Sequence, residues 1–516
     1  MTYRLGIDVG GTNTDAVLID EKLEVAAEIK RPTTPDVYDG ILDAIKTILE
    51  VSGIDPKDIK QAMLGTTQCT NAIVERKKLA RVGVLRLGAP ATMGIKPMVD
   101  WAPDLQAIVE AVAMVGGGYE FNGKEIAPFD PKAARAFFEK IKGKVKSVAI
   151  SCVFSPVRDD HEHEAARLCK EVMGDDVHVS LSGRIGSMGL IERENATILN
   201  AALYKVAESF TEGFDRSLKE MGIANADIYL SQNDGTLMSV EYAKKYPVLT
   251  IACGPTNSIR GASYLSQISN AVVIDVGGTT TDVGVLQNGF PRESSIAVTI
   301  GGVRTNFRMP DVISIGLGGG SIIREKNGIV TVGPDSVGYE LPKKALVFGG
   351  DTLTATDIVV RLGMADVGDA SKVAHIDETF AQKALNVIIK MVEDSIDVMK
   401  ISSDDVDVVL VGGGSILLPD KLAGVKTVHH PGHFATANAI GSAISKVSGT
   451  YEKLISYDIT PRDQALEIAR KEAVEMAVAS GAIAETVEII DVEDVPLQYH
   501  PGNTCRVKIK AAGDLA

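Results

Sequence analysis

Apolar residues recur along this chain in two spacings that alternate. Short apolar runs, typical of buried strands, lie at residues 5–9, 82–87, 147–154 and 406–411. Stretches with apolar residues every three or four positions, typical of amphipathic helices, lie at residues 39–51, 130–141, 191–210, 378–399 and 459–481. Strands that alternate with helices in this way predict an α/β fold.

One short pattern occurs twice, 267 residues apart. Residues 5–15 read Leu-Gly-Ile-Asp-Val-Gly-Gly-Thr-Asn-Thr-Asp, and residues 273–282 read Val-Ile-Asp-Val-Gly-Gly-Thr-Thr-Thr-Asp. Each copy continues into a second apolar run, and Gly-Gly supplies the positive φ that a tight hairpin turn requires. We therefore expect two β-hairpins, each with one carboxylate before the turn and one after it. These carboxylates are Asp8 and Asp15 in the first copy, and Asp275 and Asp282 in the second.

The residues of both turns suit a phosphate chain. Turn glycines let backbone N–H groups approach an anion closely, and the neighbouring hydroxyls and amide add donors. Carboxylates would repel phosphate unless a cation lay between them, which predicts Mg²⁺ held through waters. Two such hairpins that face each other across a cleft would bind a nucleoside triphosphate from both sides. The candidate phosphate-binding residues are Gly10, Gly11, Thr12, Asn13, Gly277, Gly278, Thr279 and Thr280.

Two glycine-rich loops follow the second copy, at residues 315–321 and 412–414. Backbone without side chains leaves room for a flat base or a ribose. Together with two phosphate hairpins, these loops predict the nucleoside part of the site. Their candidate residues are Gly318, Gly319, Gly412, Gly413 and Gly414.

Two further segments, residues 62–72 and 248–258, each end a strand in a polar turn and then begin a helix. A helix start directs backbone amides at a ligand, so these turns are candidates for the substrate site. The alternative interpretation is a capped helix with no ligand. The candidate substrate residues are Thr66, Thr67, Asn71 and Gly254.

Length, charge and cysteine content narrow the class of protein. A chain of 516 residues suggests roughly three domains. The formal net charge of −15 argues against a nucleic-acid partner and against an anionic membrane surface. The chain begins directly with a strand, and no apolar run has membrane-spanning length. The five scattered cysteines contain no C-x-x-C and predict free thiols in a reducing cytoplasm.

The duplicated hairpin differs from the common nucleotide-binding motifs. No Walker A sequence occurs, and the turn leads into a strand, whereas a Rossmann fingerprint opens a helix. The pattern resembles the superfamily of actin, sugar kinases and heat-shock chaperone ATPases. That resemblance implies two ribonuclease-H-like lobes that close on Mg-ATP. The helical spacing at 459–481 and the apolar segments at 487–490 and 505–509 predict a small α+β tail at residues 451–516.

A narrower resemblance extends over about residues 3 to 445. The first hairpin, the Gly65-Thr66-Thr67 turn, Gly254-Pro255, the second hairpin and residues 437–441 occur in the order seen in A-type subunits of the hydantoinase/oxoprolinase family. The implied division is an N-terminal lobe at 1–180, a second lobe at 181–450 and a tail at 451–516. The chain departs from the family pattern at residues 253–258, where Cys-Gly-Pro-Thr-Asn-Ser replaces the usual Ser-Gly-Pro and the common Ala-Gly-Gly.

The family resemblance also implies chemistry. Members use ATP to activate a carbonyl, usually that of a cyclic amide such as a hydantoin or 5-oxoproline, and A-type subunits commonly work with a B-type subunit. Asp8 and Asp275 would then hold Mg²⁺ from opposite lobes. Either Asp15 or Asp282 would position the attacking oxygen, and the sequence leaves that choice open.

Other functions fit parts of the same pattern. A small-molecule kinase or an ATP-dependent carboxylase subunit would share the nucleotide site, and a homo-oligomer stays open. An actin-like filament or a chaperone-type ATPase would not need the two candidate substrate turns. An activator ATPase for dehydratases would need cluster-ligating cysteines, which the scattered thiols do not favour. The histidines of residues 429–433 are not favoured as a metal site, because Pro431 and Gly432 break any shared helical face.

Overall fold

The computed structural model describes residues 1–34, 37–294, 297–497 and 503–515. The β-strands, in chain order, are β1 (Tyr3–Val9), β2 (Asn13–Asp20), β3 (Val25–Pro32), β4 (Ile59–Thr66), β5 (Val82–Ala89), β6 (Val109–Gly116), β7 (Ser147–Cys152), β8 (His178–Leu181), β9 (Asp227–Ser231), β10 (Leu237–Ser239), β11 (Ala271–Val276), β12 (Thr281–Gln287), β13 (Phe290–Pro291), β14 (Val298–Ile300), β15 (Val303–Thr305), β16 (Val312–Ile315), β17 (Ser321–Lys326), β18 (Ile329–Ser336), β19 (Val406–Val411), β20 (Val425–His429), β21 (Val447–Ser456), β22 (Glu488–Pro496) and β23 (Thr504–Gly513).

The α-helices lie between these strands. In chain order they are α1 (Val37–Ser52), α2 (Gln68–Glu75), α3 (Pro103–Gln106), α4 (Pro131–Ile141), α5 (Asp160–Met173), α6 (Leu190–Ala202), α7 (Tyr204–Glu220), α8 (Val240–Lys245), α9 (Cys253–Ser266), α10 (Leu341–Lys344), α11 (Ala355–Arg361), α12 (Glu378–Met399), α13 (Ala437–Ile444) and α14 (Arg462–Ala479). The mixture confirms the α/β class. Among the described residues, no helix combines the length and the apolar character that a membrane span requires.

The first sheet is built around the first copy of the repeated pattern. Its strand order is β22-β23-β21-β10-β9-β4-β1-β2-β3. β1, β2 and β3 are antiparallel neighbours, whereas β4 lies parallel to β1 and β9 lies parallel to β4. α1 buries Ile41, Ile45 and Ile48 in the hydrophobic core of this sheet, as the helical spacing predicts.

The second sheet repeats this central arrangement around the second copy. Its order is β13-β12-β11-β19-β20, and β16 also pairs with β12. β11 and β12 are antiparallel, and β19 lies parallel to β11 on the other side. α11 and α12 pack against the sheet through a separate core that includes Ile358 and Ile388. Both predicted hairpins are therefore confirmed. β11 and β12 lie in the middle of the second sheet, whereas β1 and β2 lie near one end of the first sheet.

A third sheet, β6-β5-β7-β8, is parallel throughout and is formed by residues 82–181. α4 and α5 complete its hydrophobic core, with Phe137 and Phe138 of α4 among the buried side chains. Parallel strands cannot be joined by a short turn and need a crossover connection, which is usually a helix. This unit is inserted in the chain between α2 and α6.

The C-terminal segment extends the first sheet. β21 pairs with β23, and β10 pairs with β21, so the tail continues the sheet that contains the first hairpin. α14 covers the added strands and buries Leu466, Ala469 and Ala473. The division at residues 180 and 450 stays a prediction, and the strand pairing does not follow it: β9 and β10 lie within 181–450 yet belong to the first sheet.

A cluster of charges, which we call the tail cluster, joins the tail to segments around residues 234, 293 and 308. Its members are Asp234, Glu293, Arg308, Lys508 and Lys510. Lys508 Nζ lies 2.6 Å from Glu293 Oε2, and Lys510 Nζ lies 2.8 Å from Asp234 Oδ2. Lys510 also lies 3.3 Å from Glu293 Oε1. Each carboxylate therefore faces more than one cation.

Two helices, α9 and α13, cross where the two main sheets meet. A Cβ on Gly261 would lie 1.9 Å from the carbonyl oxygen of Ala437, and one on Gly441 would lie 1.8 Å from that of Asn257. Only glycine permits this approach of two backbones. The close crossing brings the second turn of α9 and the first turn of α13 to the hairpins.

Candidate functional site

The tips of the two hairpins contact each other at equivalent residues. Each turn is closed by a backbone hydrogen bond of 2.9 Å, from Gly10 N to Asn13 O and from Gly277 N to Thr280 O. Thr12 Oγ1 lies 3.2 Å from Thr279 Oγ1. The repeated patterns therefore face each other, as the sequence predicts. Equivalent residues of the two copies therefore lie opposite each other in the site.

Asp8 is buried and is held by two side-chain amides. Asn257 Nδ2 donates to Oδ1 at 3.1 Å, and Asn438 Nδ2 donates to Oδ2 at 3.0 Å. Gly65 in the neighbouring strand makes room for this group, because a Cβ there would lie 2.3 Å from Asp8 Oδ1 and 2.4 Å from Asn257 Nδ2. Asp8 is thus fixed by α9, α13 and β4 together.

Asp15, the register partner of Asp8, is paired with a lysine. Lys30 Nζ lies 2.8 and 2.7 Å from the two carboxylate oxygens, and it also donates to the Ala435 carbonyl at 2.9 Å. Lys30 comes from β3, opposite Asp15 in the antiparallel register. The positive charge is therefore supplied within the same meander that presents the carboxylate.

In the second hairpin, Asp275 and Asp282 accept hydrogen bonds from serines. Ser258 Oγ donates to Asp275 Oδ2 at 2.5 Å, and Ser314 of β16 donates to Asp282 Oδ1. The described residues provide no lysine or arginine ion pair for either carboxylate. The two hairpins therefore have the same backbone pairing but different carboxylate partners. The first hairpin has a lysine ion pair, and the second has serine hydroxyls.

The four carboxylates and Lys30, together called the carboxylate site, carry an excess of negative charge. Burial raises the pKa of Asp8 to about 6, opposed by the hydrogen bond from Asn257. Burial likewise raises the pKa of Asp282 to about 7, opposed by Ser314. The pKa values of Asp15 and Asp275 are raised for the same reason, in spite of Lys30 and Ser258 respectively.

A hydrated divalent cation fits this donor set. Hard carboxylate oxygens are the ligands that Mg²⁺ prefers, and one lysine does not balance four acids. Among the described residues, no group of three or more His, Cys, Asp or Glu side chains is arranged to hold a metal directly. A cation held mainly through waters stays a prediction. Asp8 and Asp275 stay the predicted metal-side residues.

Both glycine-rich loops pack against the tip of the second hairpin. Gly319 N and Gly320 N donate to the carbonyls of Gly277 and Gly278, at 3.0 and 2.8 Å. A Cβ on Gly318 would lie 2.6 Å from the backbone of this tip.

The second loop is packed as closely. A Cβ on Gly412 would lie 2.2 Å from Asp275 Oδ1, and one on Gly414 would lie 2.6 Å from Gly277 O. Gly413 lies between them, with its Cβ position 3.7 Å from Lys30 Cε. Close packing of the protein on itself thus explains three of these glycines, and their contact with a nucleoside stays a prediction.

The candidate substrate residues lie on the two predicted turns, which are adjacent in space. The first turn follows β4 as predicted, whereas the strand predicted before the second turn is wrong, because Pro247–Thr250 forms a 3-10 helix. Thr66 N and Thr66 O both contact Cys253 Sγ at 3.4 Å, which links the end of β4 to the start of α9. Thr67 Oγ1 lies 3.4 Å from Val9 O and 3.3 Å from Asn71 Nδ2. A Cβ on Gly254 would contact nothing within 4 Å, so the start of α9 has open space beside it.

Cys253 is buried at this junction and is not suited to nucleophilic attack. Burial, with a further contribution from the Asp8 carboxylate, raises the pKa of the Cys253 thiol well above its ordinary value. A thiol needs the thiolate form to react. The prediction that Cys253 is a small buried thiol is in keeping with this position, and all five cysteines are free and buried.

Four residues of the site were not assigned a role from the sequence: Lys30, Asn257, Ser258 and Asn438. Asn257 and Ser258 lie at the departure from the family pattern, and Asn438 lies in the Ala437–Gly441 motif that carries part of the resemblance. The sequence therefore identified both segments as notable. Only the crossing of α9 and α13 shows which of their side chains reach the carboxylates.

The histidines of residues 429–433 do not form a shared site. His429 pairs with Asp407 at 3.1 Å, His430 with Asp420 at 2.9 Å, and His433 with Glu28 at 2.9 Å. Each ring thus has a different acidic partner.

Comparison with protein families agrees with this site. A model described as the hydantoinase/oxoprolinase N-terminal region matches residues 4–173, and a model described as hydantoinase/oxoprolinase matches residues 193–398. The matched segments contain both hairpins and most of the strands that support them. The chain belongs to the hydantoinase/oxoprolinase family.

Curated relatives include proteins of known and unknown activity. The caprolactamase subunit alpha of Pseudomonas jessenii is 26% identical over 468 residues, covering 86% of this chain and 65% of that protein. An uncharacterized protein of Methanocaldococcus jannaschii is 27% identical, covering 77% of this chain and 62% of its own. The 5-oxoprolinase of Saccharomyces cerevisiae is 27% identical, covering 70% of this chain and 31% of the enzyme. The chain thus spans less than two thirds of the length of these relatives.

Two solved structures share the fold over the whole chain. The ATP-dependent caprolactamase from Pseudomonas jessenii has a TM-score of 0.78 at 21% identity, covering 100% of this chain and 88% of that chain. A nucleotide-free acetone carboxylase has a TM-score of 0.68 at 19% identity, covering 99% and 88%. At this level of identity, the comparison establishes the fold alone.

Proposed function

We propose that this chain is the ATP-binding A-type subunit of an enzyme that activates the carbonyl of a cyclic amide by phosphorylation. The observation that carries the proposal is the contact of two equivalent hairpins, at Thr12 and Thr279, beside four carboxylates with one lysine. The names of the relatives support it, because caprolactamase and 5-oxoprolinase act on cyclic amides and the solved caprolactamase is described as ATP-dependent.

The chemistry explains why ATP would be required. An amide is a poor electrophile for water near neutral pH, and phosphorylation converts its oxygen into a leaving group. The protein then needs mainly to position the reactants and to neutralise charge on the transferred phosphoryl group. Bound Mg²⁺ would supply part of that neutralisation. The hairpin amides and Thr12, Asn13, Thr279 and Thr280 would bind the phosphates.

The sequence leaves open whether Asp15 or Asp282 positions the attacking oxygen. The charged and polar partners of the two carboxylates favour Asp282. Asp15 is neutralised by Lys30, whereas Asp282 accepts only a serine hydroxyl among the described residues. Burial raises the pKa of Asp282 to about 7, which suits a group that accepts a proton near neutral pH. We assign Asp282 to positioning the attacking oxygen, and Asp15 to holding the first hairpin and Lys30.

A second subunit completes the proposal. The relatives include proteins named as subunits, and this chain spans less than two thirds of the curated relatives. The O-phosphorylated amide is labile to water, so ring opening needs a sheltered path from the nucleotide site to the hydrolytic site. We expect slow ATP hydrolysis by the chain alone and coupled hydrolysis with a B-type subunit in the cytoplasm.

The test is ATP consumption with a panel of substrates. The chain, with and without a co-expressed B-type subunit, would be assayed with caprolactam, 5-oxoproline, N-methylhydantoin and, with bicarbonate, simple ketones. Ring-opened acid with free phosphate supports the amide assignment, a carboxylated product supports the carboxylase alternative, and a stable phosphate ester supports the kinase alternative. Equal ATP turnover in the native chain, Asp8→Asn and Asp275→Asn would refute the nucleotide site itself.

A further inference from the structure

Two consecutive residues near the start of α9 reach both hairpins. Asn257 donates to Asp8 in the first hairpin at 3.1 Å, and Ser258 donates to Asp275 in the second at 2.5 Å. Asp8 and Asp275 are equivalent positions of the repeated pattern. One helix therefore connects the two carboxylates that are predicted to lie on either side of the cation.

This connection is stiff. Asn257 and Ser258 are 0% and 1% exposed, so neither side chain has freedom to reorient. α9 is pressed against α13 at Gly261 and Gly441, and Asn438 of α13 donates a second amide hydrogen bond to Asp8 at 3.0 Å. A shift of α9 would thus displace Asp8 and Asp275 together.

The orientation of the Asn257 amide is determined by its neighbour. An ionised carboxylate only accepts hydrogen bonds, so Nδ2 must face Asp8. The amide oxygen Oδ1 then points elsewhere, and among the described residues it has no hydrogen-bond partner although it is buried. A buried unpartnered acceptor is costly, and such atoms are retained mainly where they serve a purpose. A water or an ion is the kind of partner that would satisfy such an atom.

We propose that Asn257 and Ser258 are positioning residues that fix the distance between Asp8 and Asp275 and thereby set how tightly the chain holds its divalent cation. This inference rests on the proposed function of the hairpins. Partners that orient metal-side groups typically change metal affinity by about 10- to 100-fold when they are removed.

The experiment measures Mg²⁺ dependence of nucleotide binding, without turnover. ADP binding to the native chain, Asn257→Ala, Ser258→Ala and the double variant would be followed by calorimetry over a series of Mg²⁺ concentrations. We expect the half-saturating Mg²⁺ concentration to rise at least about tenfold in the double variant. ADP affinity in EDTA should stay within about twofold, because neither residue is predicted to contact the nucleotide.

Thr256→Ala is the matched control. Thr256 is the preceding residue on the same helix, is 0% exposed and donates to Cys253 O at 2.7 Å, but it contacts neither carboxylate. It should reproduce the loss of a buried hydrogen bond on α9 and leave the Mg²⁺ dependence unchanged.

Three results would overturn the inference, and a fourth would refute the proposed function. Equal Mg²⁺ dependence in the native chain and a folded double variant would overturn the inference, and so would an equal shift in Thr256→Ala. If Asn257→Ala does not fold, Ser258→Ala decides alone, since it removes a single oxygen; an unchanged Mg²⁺ dependence then overturns the inference. Failure of the native chain to bind ADP with Mg²⁺ would instead refute the proposed function.

Discussion

Two buried clusters of charge in this protein are compensated in opposite ways. The carboxylate site has four acids and Lys30, and the pKa values of all four acids are raised because burial dominates. In the tail cluster, burial alone would raise the pKa values of Asp234 and Glu293. The charges of Lys510, Arg308 and, for Glu293, Lys508 more than offset burial, so both pKa values are lowered.

This difference in charge compensation distinguishes a cluster that stabilises the fold from a site that we propose binds a ligand. The tail cluster is complete within the chain, and its charges hold the C-terminal strands against the segments around residues 234, 293 and 308. The carboxylate site places four acids against one lysine, Lys30, and we propose that a further cation completes it. Carboxylates whose pKa values are shifted by burial are candidates for a functional site. The predictions below test this contrast from the largest effect to the smallest.

Replacing a carboxylate on the metal side should abolish the chemistry. Asp8→Asn removes the charge and keeps the size, so ATP turnover should fall at least about 100-fold while the chain stays folded. Turnover would be measured as phosphate release, with circular dichroism as the check on folding. Turnover within about twofold of the native chain would contradict the role given to Asp8.

Replacing a lysine of the tail cluster should lower stability and leave ligand binding unchanged. Lys510 is 4% exposed, so Lys510→Met leaves Asp234 and Glu293 buried with one cation fewer. The free energy of unfolding should fall by about 3–5 kcal/mol, as measured by urea denaturation. ADP binding with Mg²⁺ should be unchanged under conditions where the variant is folded. A loss of ADP binding with normal stability would show that the tail cluster serves the site.

The two clusters should also respond to pH in opposite directions. The folded-state pKa of Asp282 is raised to about 7, so the folded chain holds a proton that the unfolded chain releases above about pH 4. The native chain should therefore lose stability relative to Asp282→Asn as the pH rises from about 4 to 7.

Glu293→Gln is the control for that pH series. The pKa of Glu293 is lowered, so its contribution to stability is present above about pH 4 and is lost as the pH falls below that value. The penalty of Glu293→Gln should shrink in acid. Parallel pH dependence of Asp282→Asn and Glu293→Gln would contradict the contrast between the clusters.

The contact between the hairpin tips predicts a smaller, kinetic effect. Thr12 and Thr279 approach to 3.2 Å between hydroxyls, so a Thr12→Cys, Thr279→Cys double variant should form a disulfide under mild oxidation. The native cysteines are buried and should not compete. ATP with Mg²⁺ should slow cross-linking severalfold by occupying the space at the tips. An equal rate with and without nucleotide would place the phosphates elsewhere.

Sequence reasoning was most successful where the chemistry is local. The two hairpins lie where Gly-Gly between apolar runs predicts them, and α12 begins at Glu378 and ends at Met399, as its spacing predicts. The predicted reason is wrong, because none of the four turn glycines has a φ in the left-handed region. The predicted long helix at 191–210 is instead two helices, with Leu203 between α6 and α7. Apolar spacing continues across such a break, so the pattern alone does not reveal it.

The compensation of the carboxylates could not be predicted from the sequence. Lys30 reaches Asp15 through the register of β2 and β3, and Asn257 and Asn438 reach Asp8 through a helix crossing that joins residues 181 positions apart. The tail cluster likewise joins residues from three distant segments. Local periodicity carries no information about such contacts, which depend on how the sheets and helices pack.

Calorimetric titration of the purified chain with ADP, in Mg²⁺ and in EDTA, tests the central claim most directly. The two hairpins are proposed to form one nucleotide site that requires a cation to offset its excess carboxylates. We expect one ADP bound per chain in Mg²⁺, with affinity lowered at least about tenfold in EDTA and in both Asp8→Asn and Asp275→Asn. Binding that is indifferent to Mg²⁺ and to both substitutions, or no binding at all, would contradict the account.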